Sequence, residues 1–418
     1  MNDTDKPIVF YVPGLYSSTL KPLDMGCFSD NQWNPPRSLI GTLGRGNNGH
    51  KGLKLPITWS QKQGDNNGTY IQDKDDVKAD DCLYAIQDKL LHFLDTLQEN
   101  GMIELHKIVW DWRRTFEEAE QHIAKTMDSI MIRSSAATTT TTTQKKKAVL
   151  VTHSTGALVA WPTICKHPEY FSCWVNAAGC LLQGSNMFLK NFRYGYSVSN
   201  IIRMLSKEVF FTFPGLYSYF PTVNEEFVSG NGKSDWVNDD GTTFYTDIDI
   251  HKVETWEEYK LGIFGWKNKG ETVTEQERSH LQHCLDAAKR FRETNLVKGG
   301  MDPNDASFLD QDINAYDHLK IICYGTDKFQ VHSAYQVDVT NKTVDVSSSK
   351  LTTNGDGTLF TTNWQTVPGS LKREIVMAQD GSDHVSLVND IKLQKLLLDC
   401  FFANDEIKRA SAQALLKL

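Results

Sequence analysis

Ala148-Val-Leu-Val-Thr-His-Ser-Thr-Gly156 joins an apolar, β-branched run to a turn of small residues, and Ala157, Leu158, Val159 and Ala160 after it can open a helix. A strand entering a sharp turn and then a helix is the layout of a nucleophile elbow, which holds a serine hydroxyl above the sheet. Small neighbours are needed because the turn is strained and the helix packs close to the strand. Thr152 stands where such motifs usually carry their first glycine, and Gly156 supplies the second. Five residues of this kind recur by chance, so the rest of the chain must support them. Asp356 lies in Asn354-Gly-Asp-Gly-Thr358 and His384 in Gly381-Ser-Asp-His-Val385. The order is therefore serine, acid, histidine.

That order is the one used by the α/β-hydrolase triad, and other serine-triad folds use other orders. The pattern of elements agrees. Ile8–Val12 reads as a buried strand ending in Pro13-Gly14. Leu83, Ile86, Leu90, Phe93, Leu94 and Leu97 recur at helical spacing, with Asp80 and Asp81 before them and Gly101 after. A strand over 103–112 follows, then a capping box, Thr115 with Glu118, that starts another helix. The helix after the elbow carries Pro162, whose ring predicts a kink or an early end. Further strands are expected at 173–179, 319–325 and 373–378, with a hairpin over 333–348 and a closing helix from Leu387. Strands alternating with helices imply an α/β fold whose mostly parallel sheet is covered on both faces.

The expected hydrolase core spans 1–182 and 311–418. Residues 183–310 interrupt the alternation and read as an inserted cap, with nine aromatic residues between 192 and 220. These suit either a cap core or an apolar cleft for acyl chains. The turn-rich stretch 22–79 reads as an irregular lid or membrane-contact region, and 134–144, with six consecutive threonines, as a low-complexity loop. Gly44-Arg-Gly-Asn-Asn-Gly49 matches GxGxxG in letters, but it follows no strand and opens no helix, so it is not read as a dinucleotide site.

Composition excludes other classes. The chain has 418 residues, 40% of them hydrophobic and 23% charged, enough for a large core. Its net charge of −8 and the lack of a basic stripe argue against nucleic acid. Eight cysteines are scattered with no CxxC pair, which supports neither a disulfide scaffold nor a zinc site. His280, His283 and Cys284 fall in what reads as an ordinary helix. No cofactor or metal is implied. No signal peptide is visible and no run of 18 apolar residues exists, so the expectation is a cytoplasmic chain that meets membranes peripherally, rather than a secreted or lysosomal one. Three N-x-Ser/Thr sequons, at Asn2, Asn67 and Asn341, are compatible with secretion.

Several motifs in order resemble the lecithin:cholesterol acyltransferase family, which includes lysosomal phospholipase A and phospholipid:diacylglycerol acyltransferase. Val12-Pro-Gly14 looks like its oxyanion-loop motif, and Trp110-Asp-Trp-Arg113 like its Tyr-Asp-Trp-Arg signature. Thr152–Gly156 is similar to its His-Ser-x-Gly elbow. Thr212-Phe-Pro-Gly-Leu-Tyr217 resembles a cap motif of bacterial members, and Tyr324-Gly-Thr326, Gly355-Asp-Gly-Thr358 and Asp383-His-Val385 complete the set. The chain departs from the family pattern at 176–185 and 329–331 and lacks the closely spaced lid cysteines. The resemblance covers about residues 7 to 403. It implies a serine-dependent hydrolase or acyltransferase that takes a fatty acyl group from a glycerophospholipid and passes it to water or a lipid alcohol. Neutral-lipid lipase or carboxylesterase activity is the alternative inside enzymology, and a lipid-binding pseudoenzyme the alternative outside it.

In this reading Ser154 is the nucleophile, His384 its base and Asp356 the acid that orients the base. The main-chain amides of Leu15 and Thr155 are the expected oxyanion donors. Asp111 and Arg113 are expected to form a buried carboxylate–guanidinium pair bracing the site beneath the elbow. Each catalytic candidate also has an ordinary role open to it: Ser154 as a helix N-cap, Asp356 as a turn residue, His384 as a solvated loop histidine. Asp380 and Asp383 are alternative acids.

Overall fold

The structure, a computed structural model, describes residues 6–22, 51–62, 68–74, 77–136, 146–181, 187–197, 203–220, 236–237, 248–267, 271–296, 312–332, 335–338, 340–345, 352–365, 367 and 371–417. The glycine-rich Gly44–Gly49 stretch and residues 137–144 of the threonine tract lie outside them. Six strands form the central sheet: β1 (Ile8–Val12), β2 (Glu104–Lys107), β3 (Ala148–His153), β4 (Phe171–Ala177), β5 (Lys320–Gly325) and β6 (Glu374–Met377). Their spatial order is β6-β5-β4-β3-β1-β2, and every pair is parallel.

The strand sequences explain why the sheet is sandwiched. Parallel strands buried on both faces read as continuous apolar runs, and successive side chains leave on opposite sides. Ile8, Phe10 and Val12 enter one core while Val9 and Tyr11 enter the other. Ala148 and Leu150 alternate with Val149 and Val151, and Ile321 and Cys323 with Ile322 and Tyr324, in the same way. Helix α1 (Tyr84–Glu99) covers the second face together with α6 (Ile391–Phe401) and α7 (Glu406–Leu416). Helices α2 (Phe116–Ala136) and α3 (Thr155–Lys166) cover the first. The mixed α/β architecture expected from the strand–helix alternation is present.

The described parts of 183–310 pack on the first face. They include α4 (Met187–Tyr194), a 3-10 turn at Pro214–Tyr219 and α5 (Glu275–Asn295). Their apolar residues merge with those of α2 and α3 into one core. Seven of the nine aromatics between 192 and 220 are buried, and Tyr194 is 45% exposed, so these rings act as packing. His280 and Cys284 are buried in the same way. No described helix is long and apolar enough to cross a membrane.

Four local expectations change. The strand expected over 103–112 stops at Lys107, because the Trp110–Arg113 side chains turn away to make tertiary bonds described below. Asp80 and Asp81 do not cap α1; they belong to a strand, Val77–Cys82, paired with Ser18–Pro22, and the cap position is Leu83. The stretch 22–79 also holds a hairpin, Trp59–Gln61 against Tyr70–Gln72. Helix α3 runs through Pro162 to Lys166: residues Thr155 to Cys165 are all buried, and that packing outweighs the one backbone bond proline removes. The capping box forms as read, with the Thr115 N–H donating to Glu118 Oε2 and the Glu118 N–H to Thr115 Oγ1, each at 3.3 Å.

One buried group makes stability pH-dependent. His280 Nδ1 accepts from Trp59 Nε1 at 2.9 Å and Nε2 donates to the Phe211 carbonyl at 3.1 Å, and burial pushes its imidazole down to about 4. The unfolded chain binds a proton there near pH 6.5 and the folded chain does not, so stability falls as pH drops from about 6.5 towards the folded value. Urea unfolding of the wild type should lose ~2 kcal/mol between pH 7.5 and 5.0 that His280→Gln does not lose, from a tenfold-per-unit linkage. Identical pH profiles for the two proteins would contradict this assignment.

Candidate active site

In an open parallel sheet, sites form beyond the carboxyl ends of the strands, where the strand order reverses. Here β1 goes to β2 on one side and β3 lies on the other, so the crevice falls between the loops after β1 and β3. Ser154 follows β3, Pro13-Gly14 follows β1, and His384 lies in the loop after β6.

Ser154 has φ 51° and ψ −124°, a conformation that costs a non-glycine residue ~1–3 kcal/mol. Its N–H donates to the Ala177 carbonyl at 3.0 Å, tying the turn to β4. Its side chain makes no helix-capping bond, which removes the N-cap role. The hydroxyl instead faces His384, with Oγ 2.9 Å from Nε2. His384 Nδ1 lies 2.6 Å from Asp356 Oδ2. The Asp356 Oδ1 accepts from the Thr358 and Leu359 amides at 2.9 and 2.7 Å, and its carbonyl accepts from the His384 N–H at 2.8 Å. Asp356 is 0% exposed, His384 7% and Ser154 9%, so the carboxylate is dry and the hydroxyl is nearest solvent. In such surroundings charge–charge attraction is far stronger than in water. Asp383 is occupied by the Ser386 hydroxyl and N–H, so it does not replace Asp356.

One close approach requires glycine and a second is tight. A Cβ on Gly156 would lie 2.3 Å from the Val12 carbonyl oxygen, so α3 can begin against the end of β1 only without a side chain there. A Cβ on Gly14 would lie 3.0 Å from that of Ser154, which shows how closely the loop after β1 lies against the elbow. That loop is a turn closed by the Ser17 N–H to the Gly14 carbonyl at 3.2 Å, with Tyr16 at φ 61°. The main-chain N–H groups of Leu15 and Thr155 meet no acceptor among the described residues. Thr155 is the first residue of α3, where a helix leaves its amides unpaired and favours negative charge.

Asp111 and Arg113 pair as read: Arg113 Nε and Nη2 reach Asp111 Oδ1 and Oδ2 at 2.9 and 2.7 Å, and Arg113 is fully buried. The guanidinium also donates to the Leu53 and Val77 carbonyls, so the pair ties the segments around 53 and 77. The bond to the site comes from their neighbour: Trp110 Nε1 donates to the Pro13 carbonyl at 2.9 Å. The carbonyl of Arg113 meets the Gly215 N–H at 3.5 Å.

Other contacts support the site and have no counterpart in the sequence pattern. The Thr155 hydroxyl bonds Tyr219, which stacks on Phe188 at 4.1 Å. Thr152 Oγ1 accepts from Trp174 Nε1 at 3.0 Å, a contact that glycine at this position could not make. Asp390 Oδ2 accepts from Tyr324 at 2.5 Å and from the Gln379 amide at 2.6 Å, holding the start of the His384 loop. Burial, then the Asp390 carboxylate, push the Tyr324 phenol up, so it stays a donor. These partners are 11 to 66 residues apart and leave no local pattern. Among the described residues no cluster of His, Cys, Asp or Glu could hold a metal.

The chain matches no protein-family model, and no curated protein matches it.

Replacing Gly156 by Ala drives a methyl group into the end of β1. Such overpacking typically costs ~1–3 kcal/mol. A urea midpoint for Gly156→Ala equal to that of the wild type would show that this close approach does not exist in solution.

Proposed function

We propose that the protein is a serine-dependent acyl hydrolase or acyltransferase of the α/β-hydrolase type, acting on fatty acyl esters of glycerophospholipids. The observation that carries the reading is the unbroken chain Ser154 Oγ, His384 Nε2, His384 Nδ1, Asp356 Oδ2, with separations of 2.9 Å and 2.6 Å at its two hydrogen bonds. A serine hydroxyl needs a base at neutral pH, and a base needs its tautomer held.

The chemistry follows from those positions. Ser154 Oγ attacks the ester carbonyl carbon while its proton passes to His384 Nε2. Asp356 holds Nδ1–H and stabilises the imidazolium. The carbonyl oxygen gathers negative charge and accepts hydrogen bonds that the Leu15 and Thr155 N–H groups are placed to donate; one such donor is typically worth ~2.7–4 kcal/mol. As the C–O bond breaks, His384 returns its proton to the departing lysolipid oxygen. Water or a lipid alcohol then gives a proton to His384 and attacks the acyl carbon; the bond to Ser154 Oγ breaks, His384 returns the proton to Oγ, and a free acid or a new ester leaves. The phospholipid substrate, the lipid acceptor and peripheral contact with a membrane rest on the resemblance to the lecithin:cholesterol acyltransferase family.

A fluorophosphonate probe should label the wild type and not Ser154→Ala. Asp356→Asn should fold yet lose on the order of 10⁴-fold in kcat, the effect of the wrong tautomer in such a relay. An unlabelled wild type would leave a lipid-binding protein. Lysolipid release from phospholipid vesicles, compared with fatty acid release from triglyceride emulsions, separates the phospholipid reading from a neutral-lipid lipase or carboxylesterase. No lysolipid from any phospholipid would overturn the substrate class.

A further inference from the structure

His153 precedes the nucleophile, and the chemistry above gives it no part. Its side chain is 4% exposed, and its ring lies 5.4 Å from that of His384. His153 Nε2 is 3.2 Å from the main-chain carbonyl oxygen of His384. A carbonyl oxygen only accepts, so the proton sits on Nε2 and Nδ1 bears a lone pair. That lone pair has no partner among the described residues, and a Cβ on Gly14 would lie 3.3 Å from it. Nδ1 therefore cannot serve as an oxyanion donor, and the ring fills the space between the loop after β1 and the loop carrying His384.

The bond matters because of how His384 is held. Its N–H and Nδ1 both go to Asp356, and Nε2 goes to Ser154. Its carbonyl goes to His153. Among the described residues, only this last bond ties the main chain of His384 to the end of β3, the strand that carries the nucleophile. Burial, then the neighbouring His384, push the His153 imidazole down to about 3. His384 and Asp356 are the titratable groups acting on it, and a neutral ring adds no positive charge beside an imidazolium forming on His384.

We propose that His153 is a positioning residue of the relay: its Nε2–H holds the His384 main chain in register with Ser154, and its uncharged ring props the Gly14 loop. The proposal rests on reading Ser154, His384 and Asp356 as a catalytic relay. A displacement of about 1 Å at a reacting group can cost on the order of 100-fold in rate.

The test uses the full chain and a short p-nitrophenyl ester. Wild-type turnover that Ser154→Ala abolishes establishes the relay; its absence would overturn that reading and this proposal with it. Given that turnover, His153→Phe keeps a ring but has no N–H, and should lower kcat roughly 10- to 100-fold with KM within about threefold, by misplacement of the base. His153→Gln presents an N–H at similar reach and should bring kcat back to within about threefold of wild type by restoring the bond. If the Phe variant does not fold, Gln against the shorter Asn makes the same comparison, with Asn the slower. Wild-type kcat in His153→Phe, or equal losses in the Gln variant and its comparison variant, would overturn the proposal.

Discussion

A serine held at φ 51° and ψ −124° is a conformation the chain does not adopt without help, and the arrangement around the site is what supplies that help. The turn must be pinned at both ends. The β3 strand fixes one end by pairing with β1 and β4, and the Ser154 N–H to Ala177 extends that hold past the strand. Helix α3 fixes the other, and it can start there only because Gly156 presents no side chain to the Val12 carbonyl. The strain is therefore offset by a buried parallel sheet, whose apolar side chains on both faces supply most of the stability.

The same sheet explains how partners 230 residues apart meet. Ser154, the Gly14 loop and His384 all lie beyond the carboxyl ends of parallel strands, so the crossovers deliver them to one edge. Asp356 then sets His384 through two bonds, one to its ring and one to its main chain. Trp110 on Pro13 and Tyr219 on Thr155 brace the two loops that carry free amides.

Much of this was legible in the residues. The apolar runs of β1, β3 and β5 announced buried strands, and the Ser, Asp, His order named the three side chains that meet. The Asp111–Arg113 pair was legible too, but its destination was not: the sequence places a guanidinium near the site, whereas its carbonyl partners are Leu53 and Val77. Strand ends are not legible where a tryptophan or arginine leaves the ladder for a distant partner, as after Lys107. The run of α3 through Pro162 was illegible for a related reason, since burial on all sides outweighs a local rule. Long-range braces such as Tyr324 with Asp390, or His153 with the His384 carbonyl, have no sequence period to reveal them.

The central claim is that Ser154 becomes covalently acylated. Acid quenching during turnover of a slow acyl ester, followed by mass spectrometry of the peptide containing Ser154, reads this directly. The account predicts one added acyl group on Ser154, accumulating faster than it hydrolyses and absent when His384 is replaced by Ala. Product formation with no adduct, or an adduct on another residue, would contradict it.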